Sequence, residues 1–535
     1  MNRRVRNTLF FLMVFVLIFD SVPKPIQMNF IGGPVGEKLE FYPLMAAFIY
    51  SFYCQYRYHN VFVDFKVFCK YAAIFVGIMM LATIVGLIDY PYYDLILNGP
   101  ADQIEKLPKV MSFLQAHGIH VEQKHLMQIW FIAREIKGVL LEAFWCLGGA
   151  YLVYAWYKDE WSQALRLAVR AVTCSCCVLF VYAIAEVLYL AGNETAKEIL
   201  SFINPYIHPI VTNHGWWPPL LWKGQLRLVF PEPSHVGNYI AFGLPLIWYG
   251  YIQSDTNRRA ALPLTMVMAF LVFMTKARTA YAMLAGMLLL LVCLILLGRQ
   301  YELLKKFAVL IVCVTIGFAG YVSFVKTTSL SHANQTQSVV QRTTDSDSLL
   351  TSPRANQTQS VVQRTLEDNL VSLASNNKRS NGARYGLLKA HFRTGLQHPL
   401  LGVGKGLTGV YVADNFTPEE AANEEISSWI RYQEERGPMA AGYSMPDAMN
   451  EFVSRFSSTG ILGLGIFLFP FAYVLLRLLK KWVIRKDLTA MMMMLALISS
   501  MIAGCNGSLN LMYAVWLLLG LSYAVAFGRE RSMNE

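Results

Sequence analysis

Charge is what this sequence has least of. Only 15% of its 535 residues are Asp, Glu, Lys or Arg, while 55% are apolar and the mean hydropathy is positive. That balance excludes an ordinary soluble enzyme and fits a multi-pass membrane protein. Acidic residues are scarcer than basic ones, 35 against 46, for a formal net charge of +11. The excess cations gather on alternate short loops, so they read as a topology signal, and nucleic acid needs no place in the account. Metal-ligand spacing is lacking too. No His/Cys/Asp cluster stands at it, and His117, His120 and His125 are separated by Gly118 without a carboxylate at a matching offset. These histidines read as solvent-facing, and neither a metal nor another cofactor is expected. The nine cysteines fall in or beside apolar stretches, with none in the three long polar loops, which argues against a disulfide framework. Cys174, Cys176 and Cys177 read as small apolar packing residues.

What is present is hydrophobic length. Stretches of about 20 apolar residues, enough to span a bilayer, stand near 8–24, 40–56, 67–88, 138–157, 171–192, 236–253, 261–277, 279–298, 307–325, 452–476, 488–505 and 508–527. The fold class expected is therefore all-α and integral to the membrane, with about twelve transmembrane helices. Phe19-Asp-Ser-Val-Pro lacks a small-x-small cleavage site, so the first stretch reads as a retained span. An even number of spans puts both termini on one side. Arg3, Arg57, Lys158, Arg258, Arg299, the run Arg477 to Lys486 and Arg529 all fall on that side, which the positive-inside tendency makes cytoplasmic. The loops 89–137, 193–235 and 326–451 then face outward. The chain divides into a transmembrane region 1–325, a large extracytoplasmic loop 326–451 and a last transmembrane region 452–535 with a cytoplasmic tail.

Several outward segments carry residues suited to chemistry. In loop 193–235, Trp222 and other tryptophans suit either an interfacial belt or stacking on a sugar ring. Arg227 and Phe230-Pro-Glu232-Pro-Ser234-His235 follow, and Pro233 at a first helical turn places Glu232 at the mouth of a span. Glu186, inside an apolar stretch, demands a partner or a watery cavity. Lys276-Ala-Arg278 forms a two-cation turn on the outer face, against the positive-inside tendency, which suggests an anionic ligand. In the large loop, Ala333 to Thr343 recurs letter for letter as Ala355 to Thr365. The copy is polar and reads as part of a low-complexity spacer over 331–378. Order is expected over 382–451, with Arg384 on the first turn of an amphipathic helix. Thr417-Pro-Glu-Glu420 reads as a capping box for a helix that runs to Arg436 and ends at Gly437; its glutamates read as a solvated face.

These motifs, in this order, resemble the bacterial O-antigen ligase and polymerase superfamily over roughly residues 220–470. Arg227 with Phe-Pro-Glu232-Pro-Ser234 resembles its Arg-x-x-Gly-x-Phe-x-Glu-Pro-Ser segment. Thr275-Lys-Ala-Arg278-Thr279 resembles its Ser-Arg turn, and Arg384 with His398-Pro-Leu-Leu-Gly402-Val-Gly404 its large-loop motif. Asn450 precedes Gly460-Ile-Leu-Gly463 as the family's Asn precedes a helix start. The resemblance implies a GT-C-like membrane glycosyltransferase that uses an undecaprenyl-pyrophosphate-linked oligosaccharide as donor, in a bacterial inner membrane, with its site on the extracytoplasmic face. Many ligases carry His directly before the Asn, where this chain has Met449, and the Glu-Pro-Ser segment is more familiar from polymerases. Polymerisation of O-antigen, capsular or exopolysaccharide repeat units is therefore expected. The alternatives are a ligase that moves polymer to lipid A-core or protein, and a flippase or exporter of the lipid-linked sugar, which the lack of a repeat of spans disfavours.

Transfer from a lipid pyrophosphate needs negative charge stabilised on the leaving phosphate, which guanidinium does without a metal. Arg227, Arg278 and Arg384 are the candidates, with Glu232 as general base. His235, Lys276, Asn450, Gly402, Gly404 and Trp222 are candidates for substrate binding. Membrane lipid, a chain-length regulator and a flippase of the same pathway are the partners implied.

Overall fold

The computed structural model describes residues 1–19, 27–28, 36, 38–59, 61–100, 104, 106–208, 224–253, 258–343, 379–439 and 445–528. Among them every regular element is a helix. Seven helical segments are long and apolar enough to cross a membrane: Phe65–Ile88, Gln123–Tyr157, Trp161–Leu190, Arg278–Leu297, Leu303–Thr328, Glu451–Arg485 and Leu488–Asn506. Arg259–Met274 and Tyr513–Phe527 are apolar but shorter. Helices also cover Arg3–Phe15, Phe41–Tyr58 and Pro233–Gln253. Length and composition thus support a multi-pass membrane protein.

The chain forms two compact units. The first comprises Met1–Ser51, Ser162–Ala374 and Lys481–Ser499; the second comprises Phe52–Trp161, Ser375–Lys480 and Ser500–Glu535. In the first unit, the helices Arg258–Met274 and Leu303–Thr343 pair closely, and Pro233–Gln253 packs on Arg278–Leu297. Small residues allow these approaches, as is common between helices in membranes. A Cβ on Gly317 would stand 2.6 Å from the Met266 carbonyl, and one on Gly237 would stand 2.9 Å from Ala280 Cα. In the second unit, Tyr513–Phe527 packs on Gly149–Tyr157, and Phe65–Ile88 on Gln123–Glu142.

Several boundaries differ from those the sequence suggests. The helix expected from 138 begins at Gln123. Arg134, Glu135 and Lys137 lower its hydropathy but are tolerated in helices, so apolarity marks a shorter segment than helicity does. It also contains a π-helical turn over Ala143–Gly148, directly after Glu142. The helix from Leu303 continues to Thr343, so the first copy of the polar repeat is helical, with no Gly or Pro between Val325 and Thr343 to stop it. The second copy lies outside the described residues. The helix expected over 418–436 is two, Pro418–Ala421 and Glu424–Arg436. The Thr417–Glu420 capping box starts the first and Asn423 caps the second. Glu420 is not merely solvated, since Arg393 grips both its oxygens at 2.7 and 2.8 Å.

Candidate active site

In the first unit, the irregular segment Gly224–Glu232 leads into the helix Pro233–Gln253. Its path is held at two points. Leu226 N donates to the Met274 carbonyl at 3.2 Å. Leu228, with φ of 59°, donates its N–H to Glu186 Oε2 at 2.9 Å. Glu186, fully buried, thus has the partner that a carboxylate in an apolar helix demands. A single residue between these ties, Arg227, is only 2% exposed, and among the described residues its Nε and Nη2 have no hydrogen-bond partner. Burial holds the Arg227 pKa below its ordinary value, while Tyr182 and Glu186 act in the opposite sense. A guanidinium almost never stands buried with open donors unless a further group completes it.

The surroundings of Arg227 are polar and interlinked. Tyr182 donates to Asn204 Oδ1, and its hydroxyl stands 3.3 Å from His208 Nε2. Burial, followed by the charge of Arg227, pushes the His208 pKa down to about 3, which keeps it neutral at ordinary pH. The cation turn lies close to the same segment: a Cβ on Gly224 would stand 3.4 Å from Lys276 Nζ. Burial lowers the Lys276 pKa. Lys276 itself takes φ of 50°, and Thr275 Oγ1 accepts the Ala277 N–H at 3.1 Å, so the turn is locally fixed. Arg278 is the first residue of the helix Arg278–Leu297, where the macrodipole is already positive. Glu232 and His235 are half-buried at the start of Pro233–Gln253; Ser234 Oγ donates to Glu232 Oε2 at 3.2 Å. Trp222 lies outside the described residues.

The second unit places the remaining candidates differently. Arg384 is exposed on the helix Arg379–Gln397, whose Leu387 and Ala390 are buried. Asn450 caps the helix Glu451–Arg485, its Oδ1 accepting from the N–H groups of Phe452 and Val453 at 3.1 Å each. Gly402 and Gly404 make close backbone contacts. Val403 N donates to Ser457 O at 3.1 Å, Gly404 N to Ser458 O at 2.8 Å, and Ile461 N to Pro399 O at 2.8 Å. A Cβ on Gly402 would meet Ser458 C at 2.4 Å. Gly460, expected at a helix start, instead kinks a helix already begun at Glu451, with φ 63° and ψ −167°.

Sequence reasoning missed a cluster beside Asn450. Arg455, 6% exposed, binds Glu142 Oε1 at 2.5 Å, Asn510 Oδ1 at 3.2 Å and Glu451 Oε1. Glu451 Oε2 also accepts from Ser508 Oγ at 2.8 Å and Leu509 N at 3.0 Å. Lys405 Nζ lies 3.3 Å from Glu142 Oε2. Burial opposes its charge, but Glu142 and Glu135 outweigh burial and raise its pKa. Lys405, Glu451, Arg455, Ser508 and Asn510 line, with Asn450 and Ser454, a polar cavity of about 110 Å³. The spacing of Glu451 and Arg455, one helical turn apart, was the available signal.

A family model described as O-Antigen ligase matches residues 263–468, which include Lys276, Arg278, Arg384, Lys405, Asn450 and Arg455. No curated protein matches the chain.

Proposed function

We propose, from the match of residues 263–468 to the O-antigen ligase family model, that this chain is a membrane polysaccharide polymerase. It transfers a glycan from undecaprenyl pyrophosphate to a sugar hydroxyl of another lipid-linked repeat unit, at the extracytoplasmic face of a bacterial inner membrane. The observation that carries the reading is Arg227, buried with two guanidinium nitrogens open among the described residues.

The chemistry follows from that group. The acceptor oxygen bonds to the anomeric carbon as the bond from that carbon to the pyrophosphate oxygen breaks, and undecaprenyl pyrophosphate departs with the electron pair. Arg227 offers paired donors to the growing negative charge, with Lys276 beside the same segment and Arg278 at the following helix start. Glu232, steadied by Ser234, takes the proton of the attacking hydroxyl. In the second unit, Asn450 and the polar cavity supply donors and acceptors of the kind that bind sugar hydroxyls, and Arg384 offers an exposed cation to a phosphate. A chain-length regulator and a flippase of the same pathway are the partners this role calls for.

The description of the matching family favours one second reading, ligation of finished polymer to a lipid or protein acceptor. Purified protein in liposomes given only lipid-linked repeat units separates the two. A ladder of products on a gel is expected for a polymerase. Product only after a lipid core or protein acceptor is added would establish the ligase instead.

A further inference from the structure

The second unit holds a larger cavity, about 340 Å³, which shares no lining residue with the polar one. Apart from Asp64, its walls are ring faces and aliphatic groups, among them Phe68, Tyr71, Tyr151, Tyr473, Tyr523 and Phe527. Most of the tyrosine hydroxyls are already paired within the protein. Tyr71 donates to Ile466 O at 2.8 Å, Tyr151 to Val63 O at 2.7 Å, Tyr523 to Pro470 O at 3.1 Å and Tyr154 to Asp64 at 2.7 Å. Such a wall offers a sugar or phosphate nothing in exchange for its water, but it favours hydrocarbon. Two lining residues, Val67 and Phe469, are 68% and 54% exposed, so the groove can be reached from outside the protein.

The rim of this groove is basic. Asp64 is neutralised by Lys158 at 2.7 Å. Arg477 lies over the rings of Tyr473 and Phe527, 5.4 Å from each, and donates to the Tyr473 hydroxyl at 3.2 Å. It is exposed and makes no ion pair among the described residues, and Lys480 follows one turn on. Both belong to the basic run that the positive-inside tendency assigns to the cytoplasmic leaflet, where anionic lipids attract such residues.

We propose that this groove binds one acyl chain of an anionic glycerophospholipid, with the lipid phosphate on Arg477. The site stands apart from the transfer chemistry and does not rest on it. The full chain, reconstituted in vesicles of equal phosphatidylglycerol and phosphatidylcholine, is examined by native mass spectrometry for retained lipid. Wild type is expected to retain phosphatidylglycerol preferentially. Arg477→Gln should lower that preference about fivefold, the loss of one cation's attraction at a membrane surface. Val67→Trp, at an exposed position that leaves the core intact, should lower retention of both lipids by filling the groove. Three results would overturn the proposal: unchanged retention by Val67→Trp, equal retention of the two lipids by wild type, or displacement of phosphatidylglycerol by an added polyprenyl phosphate.

Discussion

Lys276 gives the account its pH dependence. Burial lowers its pKa from the ordinary 10.5, so the ammonium loses its proton at a lower pH than a free lysine does. Only the protonated form attracts a pyrophosphate, and turnover should therefore fall as pH rises through that lowered value. Lys276→Arg keeps the cation at every accessible pH and should move the fall to higher pH in a rate–pH profile; an unmoved profile removes Lys276 from the site. Glu186 acts one step back, through the Leu228 N–H. Glu186→Ala leaves that buried donor unmet and should cost about 1–3 kcal/mol, read as a lower unfolding temperature in detergent. Glu186→Gln, which keeps an accepting oxygen, should cost less. Glu186 was legible in the sequence because a carboxylate in an apolar run cannot stand alone. Glu142 and Lys405 were not, since their meeting depends on a loop and a helix 263 residues apart closing on each other.

At the scale of elements, glycines set where the second unit closes. Gly460 occupies a backbone region open essentially to glycine alone, and a Cβ there would stand 2.3 Å from the Leu400 carbonyl. Gly460→Ala should cost more than the roughly 1–3 kcal/mol of the strained backbone, because the Pro399–Leu400 hydrogen bonds to Ile461 and Leu462 are lost with it. Gly465→Ala, on the same helix with nothing within 4 Å, should be tolerated. Comparing the yield of folded protein for the two checks this, and equal yields would remove the kink from the account. The sequence marked Gly402, Gly404 and Gly460 as a set without revealing that the segments 399–404 and 457–462 dock against one another, since spacing does not show which backbones meet. It also hid the break before Glu424, because Asn423 caps a helix only once the chain has turned there.

At the scale of the whole molecule, hydropathy conveyed the membrane character well and the helix ends less well. A span is marked by what it lacks, charge, whereas a helix continues through charged and polar residues that form it readily. That is why Gln123–Tyr157 and Leu303–Thr343 overrun their apolar stretches. Arg227 connects this scale to the chemistry: it is buried, yet among the described residues two of its donors stay open. The most direct measurement is turnover of lipid-linked repeat units in liposomes by wild type, Arg227→Lys and Arg227→Ala, each checked for a folded state. Arg227→Ala should fall about 10²–10³-fold, as for loss of one charge-stabilising group, and Arg227→Lys should recover only part of it, because an ammonium lacks the paired fork. A folded Arg227→Ala protein with turnover within a few-fold of wild type would contradict this.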